Sequence, residues 1–516
     1  MDAKERKKLE RQKKKIKAQQ KKKAAPPPPK PTPPPSKGKA APPASGVKRP
    51  AADAEHLSAP PAKKKDVAPK AMPLPSPYTG SEKYLTPAHP MFDEILARSF
   101  VGFVHENAAK LPKDLHAGMR LAFEKLRDKG YFQYDVVMAG GKHLSRTFVR
   151  RTLVGDFGIT YKYLGLRIFA HAWNRPSSAP VFQSLYDLNQ QMIARTKRSM
   201  VPAPPLCEYN LTLINYMEPD NPLLGLKDDP TYGMGKVSVS WHADSSLQDY
   251  SSIGVYHTLL PTKQKQPKTR CDWRIALRLS PEVPGADQTP PLVLPTDDGD
   301  AYYLNGDFNH FHQHMVLSGT AVRVSSTHRV AVTDEDTLQY IQARVKTAVV
   351  SSESKTPFRL DEAEHVRVEQ ATITTVEMDW IRQYWIQGAK HDELHVDWQA
   401  PMQKLEGQWR LLEGRTKTLV DALLETHDTA HLKVLKAVLE GLRARQAGRD
   451  QFVHRMRDKV FKRIHADFQP MERPTWDETR RLLPKDLTDT IATLNTHKQA
   501  LEKEKKKQWK HAKANK

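Results

Sequence analysis

The hydrophobic period changes twice along this chain, and that change constrains the fold more than any other feature. Five runs between residues 211 and 326 alternate apolar with polar side chains: LTLINY (211–216), KVSVSW (236–241), SSIGVYHTL (251–259), DWRIALRLS (272–280) and TAVRVSS (320–326). Period two marks half-buried strands, whose successive side chains point to opposite faces. Pro-rich stretches and turns such as Asp297-Asp298-Gly299-Asp300 separate the runs. Many short strands with turns between them predict a β-sandwich or barrel. On either side the period is helical. Leu115, Met119 and Ala122 share one face within residues 88–132, and short helix patterns recur near 180–198. After about residue 335, Trp380, Ile381, Tyr384 and Trp385 cluster at helical spacing. Met402, Leu405, Trp409, Leu412, Leu419 and Leu423 continue it, and 431–465 is a long amphipathic stretch. That predicts a separate helical bundle with its tryptophans in the core. The expected fold class is α+β.

The chain carries a formal net charge of +23, but the tails hold most of it. Residues 1–70 hold a net +15 and residues 501–516 a net +5, leaving the middle close to neutral. A strongly basic nucleic-acid groove is therefore not implied for the folded part. The tails are suited to a weak, salt-sensitive attraction to polyanions. Residues 1–75 are Lys runs and Pro/Ala runs, with too little apolar surface to offset ordering entropy, so this segment is expected to be disordered. Within it, Lys48-Arg49 and Lys63-Lys64-Lys65 stand at the spacing of a bipartite nuclear import signal. A plain solubilising tail is the other reading of the same lysines. Two cysteines, Cys207 and Cys271, fit a reducing compartment. No apolar run is long enough to span a bilayer, and the N-terminus has no apolar core of a secretory signal.

Ser240-Trp241-His242-Ala243-Asp244 closes a strand pattern. Residues two apart on a strand share a side, so His242 and Asp244 offer an imidazole nitrogen and a carboxylate to one ion. The run HFHQH (310–314) supplies candidate third ligands. Two histidines and a carboxylate suit a non-haem iron(II) site with open positions, and equally a catalytic zinc site. Arg323 and Ser325, again two apart, separate the two. An Arg fork beside a hydroxyl holds the far carboxylate of a dicarboxylic acid. A zinc hydrolase has no use for that pair, whereas a 2-oxoglutarate oxygenase needs it.

The motifs VSWHAD, HQHMVLSG and RVSSTHRV resemble the fat mass and obesity-associated (FTO) family, a branch of the AlkB-type nucleic-acid demethylases. YLTP (84–87), TYKYL (160–164), LTLINYMEP (211–219), YGMGK (232–236) and WIRQYWIQG (380–388) extend the likeness over roughly 84–500. The resemblance implies a double-stranded β-helix (jelly-roll) dioxygenase domain with flanking helices over 77–335. A helical bundle over 336–500 would follow, between a basic Lys/Pro tail over 1–76 and a basic tail over 501–516. It implies iron(II) held by His242, Asp244 and His314, with His310 and His312 structural. It implies 2-oxoglutarate and O2 as co-substrates. Arg323, Ser325 and Tyr302 would hold the far carboxylate, with Asn215 and Arg329 at the end near the metal. Arg151 would hydrogen-bond the nucleobase, and Tyr161, Tyr163, Leu164, Val239 and Trp241 would enclose it. The activity implied is demethylation of N-methylated bases, such as N6-methyladenosine, in single-stranded RNA or DNA. Formaldehyde, succinate and carbon dioxide would be released. The expected location is the nucleus and also the cytoplasm, with an import receptor as partner and no membrane association.

The chain departs from the family's His-His-Asp-Glu at two places, where Ala243 and Ser245 flank Asp244. Ala243 removes a side chain from the base pocket. Ser245 replaces a Glu that reads the base, although its backbone N–H still donates. Two other functions fit parts of the pattern: a protein or small-molecule hydroxylase, and a non-enzymatic nuclear scaffold.

Overall fold

The structure, a computed structural model, describes residues 84–139, 143–229, 233–260, 272–350, 363–464, 468–471 and 481–515. Both N-terminal basic clusters, Tyr232 of YGMGK and Cys271 lie outside the described residues. In chain order the strands are β1 (Phe103–Glu106), β2 (Val136–Ala139), β3 (His143–Arg146), β4 (Arg150–Gly155), β5 (Thr160–Tyr163), β6 (Leu166–Phe169) and β7 (His171–Ala172). Then follow β8 (Leu211–Met217), β9 (Val239–His242), β10 (Ile253–Leu259), β11 (Arg274–Leu279), β12 (Leu292–Pro295), β13 (Ala301–Leu304), β14 (His312–Leu317) and β15 (Arg323–Arg329).

The larger sheet has the order β1-β13-β10-β15-β8-β4-β7, and the smaller one β12-β11-β14-β9. β2 pairs with β3, and β5 with β6, as separate two-stranded sheets. Alternation decides what each face of the larger sheet meets. One face carries Val154, Ile214, Tyr216, Tyr256, Tyr303 and Val324. It packs on Leu115, Met119, Leu126, Leu185 and Met192 of the helices Lys113–Asp128 and Pro180–Arg198. Each such aliphatic side chain contributes about 1.5–3 kcal/mol by leaving water. The other face carries Val255, Tyr302 and Leu304, which meet Ile275, Leu277, Leu292 and Leu294 of the smaller sheet. The two facing sheets make a jelly-roll-like core, the α+β class that the periodicity predicts.

Helices follow from Leu338 onward. Trp380, Trp385, Trp398 and Trp409 are fully buried in one cluster that also takes in Phe169 of β6. The β6–β7 segment is bound to this region at several points. Arg167 Nε donates to the Asp379 carbonyl at 2.7 Å, and Trp398 Nε1 to the Ala170 carbonyl at 2.7 Å. The rings of His171, His395 and His391 stack at 3.9 Å centroid spacing across the same junction. The last helix, Thr488–Ala514, runs straight through position 500, so the lysine-rich C-terminal stretch continues a helix. No helix among the described residues is long and apolar enough to cross a membrane.

Candidate active site

The metal-ligand candidates sit at the end of the smaller sheet. His242 ends β9 and lies opposite His314 of β14, with ring centroids 4.2 Å apart. The Ser240 carbonyl can only accept, so the His242 Nδ1 lying 2.8 Å from it carries the proton. Nε2 is thereby left with its lone pair. Asp244 lies two residues past the end of β9, so strand alternation does not place it. Asn309 does. Its Oδ1 accepts from the Asp244 N–H at 2.9 Å, and its Nδ2 donates to the Asp244 carbonyl at 2.9 Å. Asn309 stands on the short helix Phe308–Phe311 that leads directly into β14, so one connection fixes both Asp244 and His314. Sequence reasoning missed it, although it immediately precedes the histidine run.

One ligand atom from each of His242, Asp244 and His314 lies within 4.8 Å of the others. The Asp244 carboxylate is almost fully buried. Burial pushes its pKa up, but Arg329 above all, then His314 and His242, outweigh that and hold it below the usual range. Arg329 Nη2 donates to Asp244 Oδ1 at 2.6 Å, while Oδ2 is buried without a partner among the described residues. Burial, then His242, pushes His314 down to about 3, so its ring is neutral. A free imidazole lone pair, a neutral buried imidazole and an orphaned carboxylate oxygen form a donor set that fits iron(II). The two neighbouring histidines are occupied elsewhere. His312 places Nε2 2.8 Å from the Ser99 carbonyl and stacks on Phe308, and exposed His310 lies against Tyr250.

A second group lines the face of the larger sheet that turns inward. Register sets His257, Ser325, Asn215 and Arg151 in one transverse row across β10, β15, β8 and β4. At about 4.8 Å per strand, the row places the Arg151 backbone about 10 Å from that of Ser325. Arg323, two residues from Ser325, donates from Nη1 to its hydroxyl at 3.1 Å and lies over the Trp273 ring. Tyr302, bonded to Arg323, has a hydroxyl pushed up to about 12, chiefly by burial. Arg329 keeps Nε and Nη1 buried with no partner among the described residues, so these donors remain unspent beside the one that holds Asp244. His257 was not foreseen. Both its ring nitrogens are buried without a partner among the described residues, and burial, then the Arg323 charge, keeps the ring neutral. Its only sequence signal was its place in the strand run 251–259.

The third group is cationic and aromatic. Arg151 lies 4.0 Å from the Tyr163 ring centroid. Its Nε is bonded to Asp135, a residue sequence reasoning passed over. Nη2 is buried without a partner among the described residues, so the arginine read as base-binding keeps a donor to spend beside its ion pair. Buried Tyr161 bonds to Ser245 and lies 5.2 Å from the Arg329 guanidinium, which joins this group to Asp244. Leu164 is exposed at the turn after β5, with φ 45°. Val239 packs inward against Met217 and Val316. Trp241 does not join them. An irregularity in the β9–β14 pairing turns it to the outer face of the smaller sheet, against Ala276, Val293 and Met315 with Arg278 over its ring at 4.6 Å. Its expected place in the base pocket is corrected accordingly.

Comparison with known proteins matches the FTO catalytic domain over residues 90–203 and 189–332, and the FTO C-terminal domain over 336–496. The chain belongs to the FTO family. The alpha-ketoglutarate-dependent dioxygenase FTO of Xenopus laevis is 29% identical over 479 residues, covering 80% of this chain and 93% of that protein. Among solved structures, a Pseudomonas putida prolyl-4-hydroxylase is 12% identical, covers 47% of this chain and 100% of that one, and has a TM-score of 0.26. A likeness of that size bears on nothing further. Within the FTO family frame, the metal group and the inward row of the larger sheet both fall inside the catalytic-domain match.

Proposed function

We propose that this FTO-family dioxygenase removes N-methyl groups from bases in single-stranded RNA or DNA, N6-methyladenosine among them. Its class, 2-oxoglutarate-dependent oxidation with iron(II) and O2, goes with the family and with the ligand set. The observation that carries the finer reading is the cluster of Tyr163 and the Asp135-bound Arg151, joined through Tyr161 and Arg329 to Asp244. A flat ring with one unspent buried donor beside it suits a planar, hydrogen-bonding ligand. A base within a duplex would have to be flipped out to reach it.

Iron(II) held by His242, Asp244 and His314 would activate O2, the oxidant, with 2-oxoglutarate as co-reductant leaving as succinate and carbon dioxide, and formaldehyde as the fate of the methyl carbon. The protein's own groups do the positioning. Arg323, Ser325 and Tyr302 hold the far carboxylate of 2-oxoglutarate. Arg329 orients Asp244 and turns its remaining donors toward the near end, where Asn215 also stands. Arg151 Nη2 fixes the base edge, and Tyr163 covers its face.

Nucleoside mass spectrometry on methylated single-stranded RNA and DNA, with iron and 2-oxoglutarate, tests this. The wild type should lose methyl groups in step with succinate release, and Asp244→Ala should do neither. Succinate release without methyl loss from any strand would defeat the nucleic-acid reading and favour a protein or small-molecule hydroxylase. The small side chains Ala243 and Ser245 beside Asp244 are the feature that favours that second reading. We further propose that Lys48-Arg49 and Lys63-Lys64-Lys65 engage an import receptor and bring the protein to the nucleus. Replacing both clusters with Ala should leave a fluorescent fusion cytoplasmic, and an unchanged nuclear signal would refute it.

A further inference from the structure

The buried apolar residues of the helix Thr488–Ala514, Leu494 and Leu501, both lie at or before its midpoint. Leu494 and Leu501 bury against Leu435, Leu439 and Leu442 of the helix Leu432–Met456. Beyond them every residue from 503 to 515 is exposed, a stretch of about 20 Å at 1.5 Å per residue that the Thr429 hydroxyl tethers by donating to Gln508 Oε1 at 3.3 Å. The match to the family's C-terminal domain stops at 496, so this stretch lies outside it.

Its surface is specific. Both carboxylates in the stretch are already paired, Glu502 with Lys436 at 3.1 Å and Glu504 with Lys507 at 3.6 Å. Lys505, Lys506, Lys510 and Lys513 form no ion pair among the described residues. Lys505, Lys506 and Lys513 flank Trp509 at three- and four-residue spacing, and Lys510, four from Lys506 and three from Lys513, borders the same side. Trp509 is 63% exposed, and no other tryptophan among the described residues is exposed. Lys513 Nζ lies 5.3 Å from its ring centroid.

Like charges at this spacing destabilise a helix, and a bare indole costs hydration free energy. A single-stranded polyanion answers both. Phosphates neutralise the lysines with release of counterions, and an unpaired base covers the indole. A bilayer surface fits less well, because an interfacial helix needs a broad apolar face and this one has a single aromatic. We propose that the projecting C-terminal helix is a second binding surface for single-stranded nucleic acid. Lys505, Lys506, Lys510 and Lys513 contact phosphates, and Trp509 stacks on a base. The inference rests on the reading that such a strand is the substrate, and its role is to hold the strand while the active site works.

Fluorescence anisotropy of the full chain with a labelled, unmethylated single strand over a salt series tests it. The quadruple Lys→Gln variant at 505, 506, 510 and 513 keeps good helix formers at exposed positions, so folding is not at stake. Its plot of log K against log salt should be shallower by about 2.8, from four phosphates at about 0.7 each. Trp509→Ala should weaken binding about fivefold or more, and Trp509→Phe should retain most of it. Unchanged binding in these variants would overturn the proposal. So would an equal Trp509 dependence with a duplex, or a Trp509 dependence seen only with phosphatidylserine vesicles. Turnover of a free methylated nucleoside reads the active site separately. Variant-sensitive strand binding without any demethylation by the wild type would defeat the demethylase reading and leave this one standing. Demethylation with variant-insensitive binding would do the reverse.

Discussion

Asn309→Ala isolates the contact that places the third metal ligand. In the structure Asp244 stands outside β9, and its backbone is held by two side-chain hydrogen bonds from Asn309, both 2.9 Å. Each such bond is worth about 1 kcal/mol net, so about 2 kcal/mol holds the carboxylate in register with His242 and His314. Spread over metal binding, that is about a 30-fold loss at 1.4 kcal/mol per tenfold, within the about 10–100-fold range for residues that orient ligands. Anaerobic titration of the metal-free protein with iron(II), or with manganese(II) as a stand-in, measures it directly. Asn309→Ala should bind metal about 30-fold more weakly and regain succinate release at high iron. Asn309→Asp keeps the acceptor for the Asp244 N–H but loses the donor to its carbonyl. It should fall between the wild type and Asn309→Ala. A folded Asn309→Ala protein with wild-type metal affinity would refute the claim that this pair positions Asp244.

Three further outcomes follow from the geometry. His257→Leu should raise KM for 2-oxoglutarate about tenfold with kcat largely retained, since a hydrogen bond to a charged group is worth about 1.5 kcal/mol or more; an unchanged KM would mean the ring nitrogens do not reach the cosubstrate. Gly388→Ala should lower the unfolding free energy by about 2 kcal/mol or more, because φ is +92° and a Cβ would stand 2.6 Å from the Phe468 carbonyl carbon. Wild-type stability in urea titrations would refute it. Burial pushes His171 and His391 well below the ordinary histidine value and His395 down to about 4, so the unfolded chain binds more protons than the folded one below about pH 6.5. Stability is then full above that pH and falls as pH drops toward 4, by up to about 1.4 kcal/mol per unit for each ring. Replacing His391 with Phe should flatten that acid limb in urea midpoints taken from pH 5 to 8, and an unaltered slope would refute the assignment.

Three strands of the larger sheet, β8, β10 and β15, were legible because they alternate cleanly. In LTLINYM, Ile214 and Tyr216 had to face helices if Leu213 and Asn215 faced inward, and the register bears that out. The same arithmetic put Arg323 beside Ser325. The short strands β2 to β7 were not legible, because four-residue runs such as HLSR carry no periodic signal. Nor was the strand at Phe103–Glu106, which lies inside a stretch of helical spacing and is ordered by pairing with β13.

By itself the sequence determined which residue types meet. It supplied two histidines and an aspartate for a metal, and an arginine and a serine for a dicarboxylate. Those chemistries follow from side-chain identity and, for Arg323 and Ser325, from spacing of two along a strand. Only the tertiary structure decided what holds them and which way they turn. Asn309 anchors Asp244, Asp135 takes one side of Arg151, and His257 enters the inward row of the larger sheet, all through contacts between segments far apart in sequence. It also turned Trp241 away, because one irregular pairing between β9 and β14 changes which face a residue occupies. Alternation is a local rule that holds only while the ladder is regular. Where the ladder breaks, at the metal centre above all, long-range packing decides.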